Sequence, residues 1–231
     1  STSNYLQQPY NSDLDFGTGN FSIVGWIKPV ASTSVQLIVH RRKLDATGVP
    51  IEFGINTDET PYLYTGNGTT ALTGKPLPTG NWLHIVALRR NGFYKIYVNG
   101  KLFNTGTGQY NENITNADAH TLIGGYITNG SRTYPWQGSM ALLRISSTAP
   151  SEEQIAKMYN DERRLFIDNA KATIYGTSSN PLAIAYDDVM DHLHVGTSEG
   201  RSVFQGLNRI DNTTDAISTS ISASNSIVAE E

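Results

Sequence analysis

Two Asn-Gly pairs, eight residues apart, constrain this chain more than any other feature. Asn91-Gly92 and Asn99-Gly100 cut "NWLHIVALRRNGFYKIYVNGKLFNTG" (81–106) into three β-like runs. A two-residue hairpin turn of type I′ needs positive φ at both central positions, which Asn and Gly accept and branched side chains resist. The spacing therefore predicts a three-stranded antiparallel meander. A chain built around such a meander is a β-protein.

Other segments agree. "FSIVGWIKP" (21–29) places Phe21, Ile23 and Ile27 on one face and Val24 and Trp26 on the other. Being apolar on both sides, it reads as a central strand buried twice over, ended by Pro29. "SVQLIVHRR", "IEFGIN", "HTLIGGY" and "GSMALLRIS" add further strands. The period changes once, in "TAPSEEQIAKMYNDERRLF". There Ser151 and Gln154 have capping-box spacing, and Ile155, Met158, Tyr159, Glu162 and Leu165/Phe166 recur at helical intervals. Many strands closed by one helix make a β-sandwich with a helical cap.

At 231 residues the chain can bury one substantial core and carry a small appendage. The net charge of −4 offers no basic field to hold nucleic acid or an anionic membrane. Arg41-Arg42-Lys43 is too short to change that. No apolar run approaches the roughly 20 residues that span a bilayer. The chain has no cysteine, which excludes disulfides, thiolate metal sites and cysteine nucleophiles, and favours a microbial or cytosolically folded protein. No signal peptide opens the sequence. Its first residue, Ser1, suggests a processed chain or a piece of a longer one. The sequons at Asn20, Asn67, Asn113, Asn129 and Asn212 read as chance in so Asn- and Thr-rich a chain.

Residues 5–167 resemble the laminin-G-like, concanavalin A-like jelly-roll domains of lectins, pentraxins and many bacteriophage virion proteins. The resemblance rests on "YLQQPYNSDLDFGTGNFSIVGWIKP", on the meander, and on "TLIGGYITNGSRTYPWQGSMALLRISSTAPSEEQIAKMYNDERRLF", in that order. It implies two antiparallel sheets face to face over 1–167, with one capping helix at the end. Trp26, Trp82 and Trp136 then match core positions, so no tryptophan advertises a sugar platform. Residues 168–231 read as a separate β-hairpin and assembly tail. "AIAYDDVMDHLHVGTSEGRSVFQGLNRIDNTT" is similar to segments that follow such domains in phage tail proteins, in the manner of one propeller blade. The stretch 216–231 is too poor in apolar residues to order alone. It must be disordered, packed on a partner or intertwined in an oligomer.

Catalysis finds little support. Glycosidases on this scaffold resemble one another in a Glu-x-Asp-x-x-Glu strand, which supplies the paired carboxylates retention needs. That string is absent, as is Gly-x-Ser-x-Gly. No metal is assigned. His192 and His194 share a strand face with Asp187 and Asp191 nearby, yet read as water-facing residues on the closing strand of a hairpin. Ca²⁺ suits the fold best, with Asp13, Asp15 and Asp118 as oxygen donors, but turn formation accounts for these acids. For glycan binding, rings and convergent polar groups matter. Three loops offer them: Tyr62 and Tyr64, then Tyr110, then Tyr126, Arg132 and Tyr134, with Arg132 and Tyr134 left free to meet a partner. The expectation is a non-catalytic phage virion protein of the tail, fibre or particle surface. It would adhere to a host-surface carbohydrate and assemble with other virion proteins and its own copies, a trimer by analogy. A purely structural connector and a polysaccharide-degrading enzyme are the alternatives.

Overall fold

The computed structural model describes residues 4–48, 50–66, 69–72, 75–106, 108–128, 131–166, 174, 180–206, 208–214, 221–224 and 227–230. In chain order the first strands are β1 (Leu6–Gln8), β2 (Phe21–Lys28), β3 (Gln36–Arg42), β4 (Ile51–Ile55), β5 (Pro61–Thr65) and β6 (Thr69–Leu72). Next come β7 (Leu83–Arg90), β8 (Phe93–Val98), β9 (Lys101–Thr105), β10 (His120–Ile123), β11 (Tyr126–Thr128), β12 (Ser131–Thr133) and β13 (Ser139–Ser146). Helix α1 (Glu152–Glu162) follows. Six strands form one sheet in the order β1-β10-β3-β4-β5-β6, five form another in the order β13-β2-β7-β8-β9, and β11 pairs with β12 in a separate hairpin. This is the concanavalin A-like sandwich that the family resemblance implies.

The meander forms where the Asn-Gly pairs require it. Asn91 and Gly92 have φ of 51° and 81°, Asn99 and Gly100 49° and 76°, so both turns occupy the left-handed region. Gly100 is constrained twice, because a Cβ there would lie 3.2 Å from the Tyr159 side chain on α1.

Strand β2 is buried from Phe21 to Ile27 and serves both faces. Phe21, Ile23 and Ile27 join Ile85, Tyr94, Ile96, Phe53, Leu63 and Trp136 between the sheets. Val24 instead packs with Val86, Leu88, Tyr97 and Ile155 under the helix. Each such aliphatic or aromatic side chain removed from water contributes about 1.5–3 kcal/mol. Trp82 departs from expectation: it is half-buried beside β7, because it precedes the strand rather than alternating within it.

A buried polar network ties the loops at one end. Arg89, with no exposed surface, donates to the carbonyls of Gly17, Gly19 and Glu112 and to the Tyr94 hydroxyl. The Tyr94 hydroxyl donates to Glu112 Oε1 at 2.6 Å, and Thr65 donates to the same oxygen at 2.9 Å. Burial and the Glu112 bond push the Tyr94 phenol up to about 12.

The helix starts at a reciprocal capping box: Gln154 N–H donates to Ser151 Oγ and Ser151 N–H to Gln154 Oε1. Ile155 is wholly buried. Leu165 is 48% exposed in a short 3₁₀ turn, so the apolar helical face ends earlier than its period suggests.

The chain forms two compact units, Ser1–Asn160 and Asp161–Glu231. The expected boundary at 167/168 lies outside the described residues. The second unit holds a four-stranded antiparallel sheet of β14 (Ala183–Asp187), β15 (His192–Thr197), β16 (Gly200–Gln205) and β17 (Asn208–Thr213), in that order. Strand β17 goes beyond the β-hairpin read from sequence, since its polar "NRIDNT" carries no apolar alternation. Within 216–231, β18 (Ile221–Ser224) pairs with β19 (Ile227–Glu230); residues 215–220, 225, 226 and 231 lie outside the described set, as do the sequons at Asn67 and Asn129.

Candidate functional site

Alternation along β3, β4 and β5 sends one set of side chains into the core and the next set out. Val39, Phe53 and Leu63 pair across the three strands and are core residues. One position along, His40 pairs with Glu52 and Glu52 with Tyr64, forming a row on the opposite face. Tyr62, two residues before Tyr64, shares that face.

The β11–β12 hairpin and the segment after it complete the site. The Tyr126 ring lies 4.3 Å from the His40 ring, and Tyr126 and Tyr134 stack at 6.4 Å with planes 10° apart. The Leu37 N–H donates to the Tyr134 carbonyl at 3.1 Å, which fastens this segment to the start of β3. Burial, followed by the charge of Glu52 and the proximity of Tyr134, raises the Tyr62 phenol above its ordinary value. Tyr62, Tyr64, Tyr126 and Tyr134 therefore gather around Glu52 and His40 on one sheet face.

Exposure grades across this face. His40 is fully buried and Tyr62 nearly so, while Tyr134 is 47% exposed. His40 Nε2 lies 3.5 Å from Glu52 Oε1, within ion-pair range, but neither ring nitrogen makes a hydrogen bond. The two observations agree because 3.5 Å suffices for an ion-pair contact but lies beyond the usual range, about 2.7–3.2 Å, of an N–H···O hydrogen bond. Tyr134 has φ of 49°, a left-handed backbone that an aromatic residue adopts at a cost of about 1 kcal/mol.

The six residues singled out from sequence thus divide. Tyr62 and Tyr64 stand on strand β5 rather than in a loop, because Pro61–Thr65 pairs with β4 on one side and β6 on the other. Tyr126 and Tyr134 join them. Arg132 does not, and it is not free: its Nη2 donates to the Asn4 carbonyl at 2.9 Å and to the Gly124 carbonyl, and its guanidinium lies 5.3 Å from the Tyr5 ring. Alternation in the hairpin, where Arg132 pairs with Ile127 and Tyr126 with Thr133, turns it to the other side. Tyr110 also sits elsewhere, its N–H donating to the Gly92 carbonyl beside a turn of the five-stranded sheet. His40 and Glu52 escaped the sequence reading. The signal at Glu52 was a single polar residue in the otherwise apolar "IEFGI", whereas His40 opens the polar end of "QLIVHRR" and carries no such mark.

Of the acids considered for metal, Asp15, Asp118, Asp187 and Asp191 have protein partners, while Asp13 uses its backbone N–H to cap onto Asn11 Oδ1. Asp15 accepts from Arg41, the Asn116 N–H and the Tyr10 hydroxyl, and Asp118 lies 3.6 Å from Lys43. Asp187 Oδ1 accepts the Val189 and Met190 N–H groups, and Tyr186 donates to Asp191. The His192 and His194 rings are 6.3 Å apart, and among the described residues no group of three potential ligands gathers. A cavity of about 1090 Å³ opens beside Tyr5, Leu6, Trp136 and Leu142, at the β1 and β13 sheet edges. None of the six singled-out residues lines it.

A family model described as the concanavalin A-like lectin/glucanases superfamily, of laminin-G type, matches residues 1–156. Sequence comparison with curated proteins finds no match. Among solved structures, the carbohydrate-binding module (CBM40) of a Ruminococcus gnavus IT-sialidase, bound to α2,3-sialyllactose, is similar at a TM-score of 0.55 and 14% identity. The match covers 67% of this chain and 98% of that one. A putative carbohydrate binding protein from Bacteroides ovatus has a TM-score of 0.55 and 19% identity, over 91% of this chain and 57% of its own. A heptameric SAP-like pentraxin from Limulus polyphemus has a TM-score of 0.50 and 16% identity, over 67% and 75%. At these identities the likeness is one of fold.

Proposed function

The chain belongs to the concanavalin A-like lectin/glucanases superfamily, and we propose that it is a non-catalytic carbohydrate-binding protein whose sugar platform is the tyrosine face of the six-stranded sheet. The observation that carries this is the convergence of Tyr62, Tyr64, Tyr126 and Tyr134 around one partly exposed carboxylate. Rings present apolar faces to the C–H side of a pyranose, while phenol and carboxylate oxygens take its hydroxyls. The Ruminococcus module and the Bacteroides protein, each named for carbohydrate binding, support the same reading. A binding role rather than hydrolysis is favoured because the cross-strand neighbours of Glu52 are His40 and Tyr64, whereas glycoside cleavage calls for a second acid.

The finer assignment is to a phage particle, on the tail, a fibre or the surface. There the ligand is a host-surface glycan, and the partners are other virion proteins and further copies of the chain, in a trimer. It is supported by the resemblance of the C-terminal segment to those of phage tail proteins and by the edges of the β14–β17 sheet, which no further strand among the described residues pairs with and which invite another strand. Several copies would raise a weak sugar affinity through avidity.

A glycan array and a host-cell adsorption assay on the intact protein test the binding role. Tyr62→Ala with Tyr134→Ala should abolish a signal that the parent gives; silence from the folded parent on every glycan removes the reading. The particle role is tested by deleting 168–231, which should prevent incorporation into virions. Normal incorporation would count against it.

A further inference from the structure

We propose that the saccharide held on the tyrosine face is uncharged, and that Glu52 sets this preference by excluding acidic sugars. The inference rests on the carbohydrate-binding reading and adds the class of sugar. Glu52 is the charged centre of the face. Its side chain keeps 24% of its surface exposed, and its neighbour within ion-pair range is the imidazole of His40, 3.5 Å away and not hydrogen-bonded to it. Carboxylate lone pairs are therefore left for a ligand.

The basic residues close by in sequence are committed elsewhere. Arg41 points to the core side, where it pairs with Asp15. Arg42 shares the His40 face, but its Nε donates to the Gly48 carbonyl at 3.2 Å. Lys43 lies by Asp118, and Arg132 braces the far side of the hairpin. Among the described residues, the charge that acts on the Tyr62 hydroxyl is the negative one of Glu52.

A partly shielded carboxylate between aromatic walls suits two adjacent sugar hydroxyls, each donating a charge-assisted hydrogen bond. An acidic sugar would set a second carboxylate against the first, and like charges in contact disfavour the complex. The face therefore selects against the charge carried by a sialoside, although the similar Ruminococcus module is bound to one.

The test uses the full chain at pH 8, above the ordinary imidazole range, on an array of neutral oligosaccharides printed beside their sialylated and uronic-acid counterparts. The parent is expected to bind neutral members at least about tenfold tighter than the acidic partners. Glu52→Gln, close to isosteric, should weaken neutral binding about tenfold and narrow the discrimination, with an unchanged melting temperature. Added salt should narrow it in the parent as well. Equal or tighter binding of the acidic members overturns the inference and leaves the binding role standing, as does a discrimination untouched by Glu52→Gln. Binding to no glycan by the folded protein overturns the role itself, and the inference with it.

Discussion

The sandwich has two outward sheet faces, and both carry aromatic rings. On the five-stranded sheet, Trp26, His84 and Tyr97 lie beneath α1. Trp26 is 5.9 Å from Tyr159 of the helix and 5.3 Å from His84. Glu152 accepts from Lys95 at 3.1 Å and from the Tyr97 hydroxyl at 3.0 Å, which fastens the first helical turn to the sheet. On the six-stranded sheet, His40, Glu52, Tyr62 and Tyr64 are overhung only in part, by Tyr126 and Tyr134 from a short hairpin and its exit. Aromatic rings under a helix make a second core. The same side-chain chemistry left partly open makes a surface that can exchange water for a ligand.

This contrast can be broken experimentally, starting with the largest effect. Trp26→Ala should lower unfolding free energy by about 3–5 kcal/mol, the usual cost of removing a buried tryptophan. Sugar binding by the folded fraction should persist. Denaturant titration checks the first part and affinity measurement the second, and a variant as stable as its parent would mean the helix covers no core.

Next is the anchor at the margin of the six-stranded sheet. Burial opposes the charge of Asp15, but the Asn116 N–H, the Tyr10 hydroxyl and Arg41 prevail and hold its carboxyl below the usual range. A carboxyl depressed in the folded state adds stability above its unfolded value of about 3.9, and that stability is lost as pH falls through the folded value. Asp15→Asn should cost about 3 kcal/mol at neutral pH, since it leaves Arg41 buried without its partner. It should also flatten the loss of stability below about pH 4. Thermal melts of both proteins across that range would show it; parallel curves would refute the coupling.

On the open face the effects reverse. Tyr134→Gly should weaken glycan binding by about 1–2 kcal/mol through loss of a ring. Stability should hold, or rise by up to about 1 kcal/mol, because glycine adopts the left-handed backbone without strain. A fall in melting temperature with intact binding would reassign Tyr134 to the scaffold. Smallest of all is Tyr110→Ala, expected to change stability by no more than about 0.5 kcal/mol and to leave affinity unaltered. A loss of affinity would extend the site to the Gly92 turn.

Much of the fold was legible before any coordinates. The Asn-Gly turns, the two-faced strand β2 and the Ser151/Gln154 box each depend on neighbours along the chain, and such signals survive in one dimension. Strand β5 was harder. Its tyrosines and the glycines after it look like loop material, and only pairing with β4 and β6 makes a strand of them. Arg132 failed for a related reason. A cation in a polar segment reads as free until the carbonyls of Asn4 and Gly124, distant or near in sequence, are seen to meet it.

What the sequence by itself determined is the class of fold, its turns, its capped helix and the residue types available to a site. Turn φ preferences and alternation periods are local properties of the chain. Which tyrosines share a face, and that His40 and Glu52 stand among them while Arg132 and Tyr110 do not, was decided by tertiary structure alone. Cross-strand register brings together positions 40, 52 and 64, ring contacts add 126 and 134, and no local preference encodes that meeting. The lid was decided in the same way. Helix α1 covers one sheet and not the other because the strand before it, β13, belongs to the five-stranded sheet.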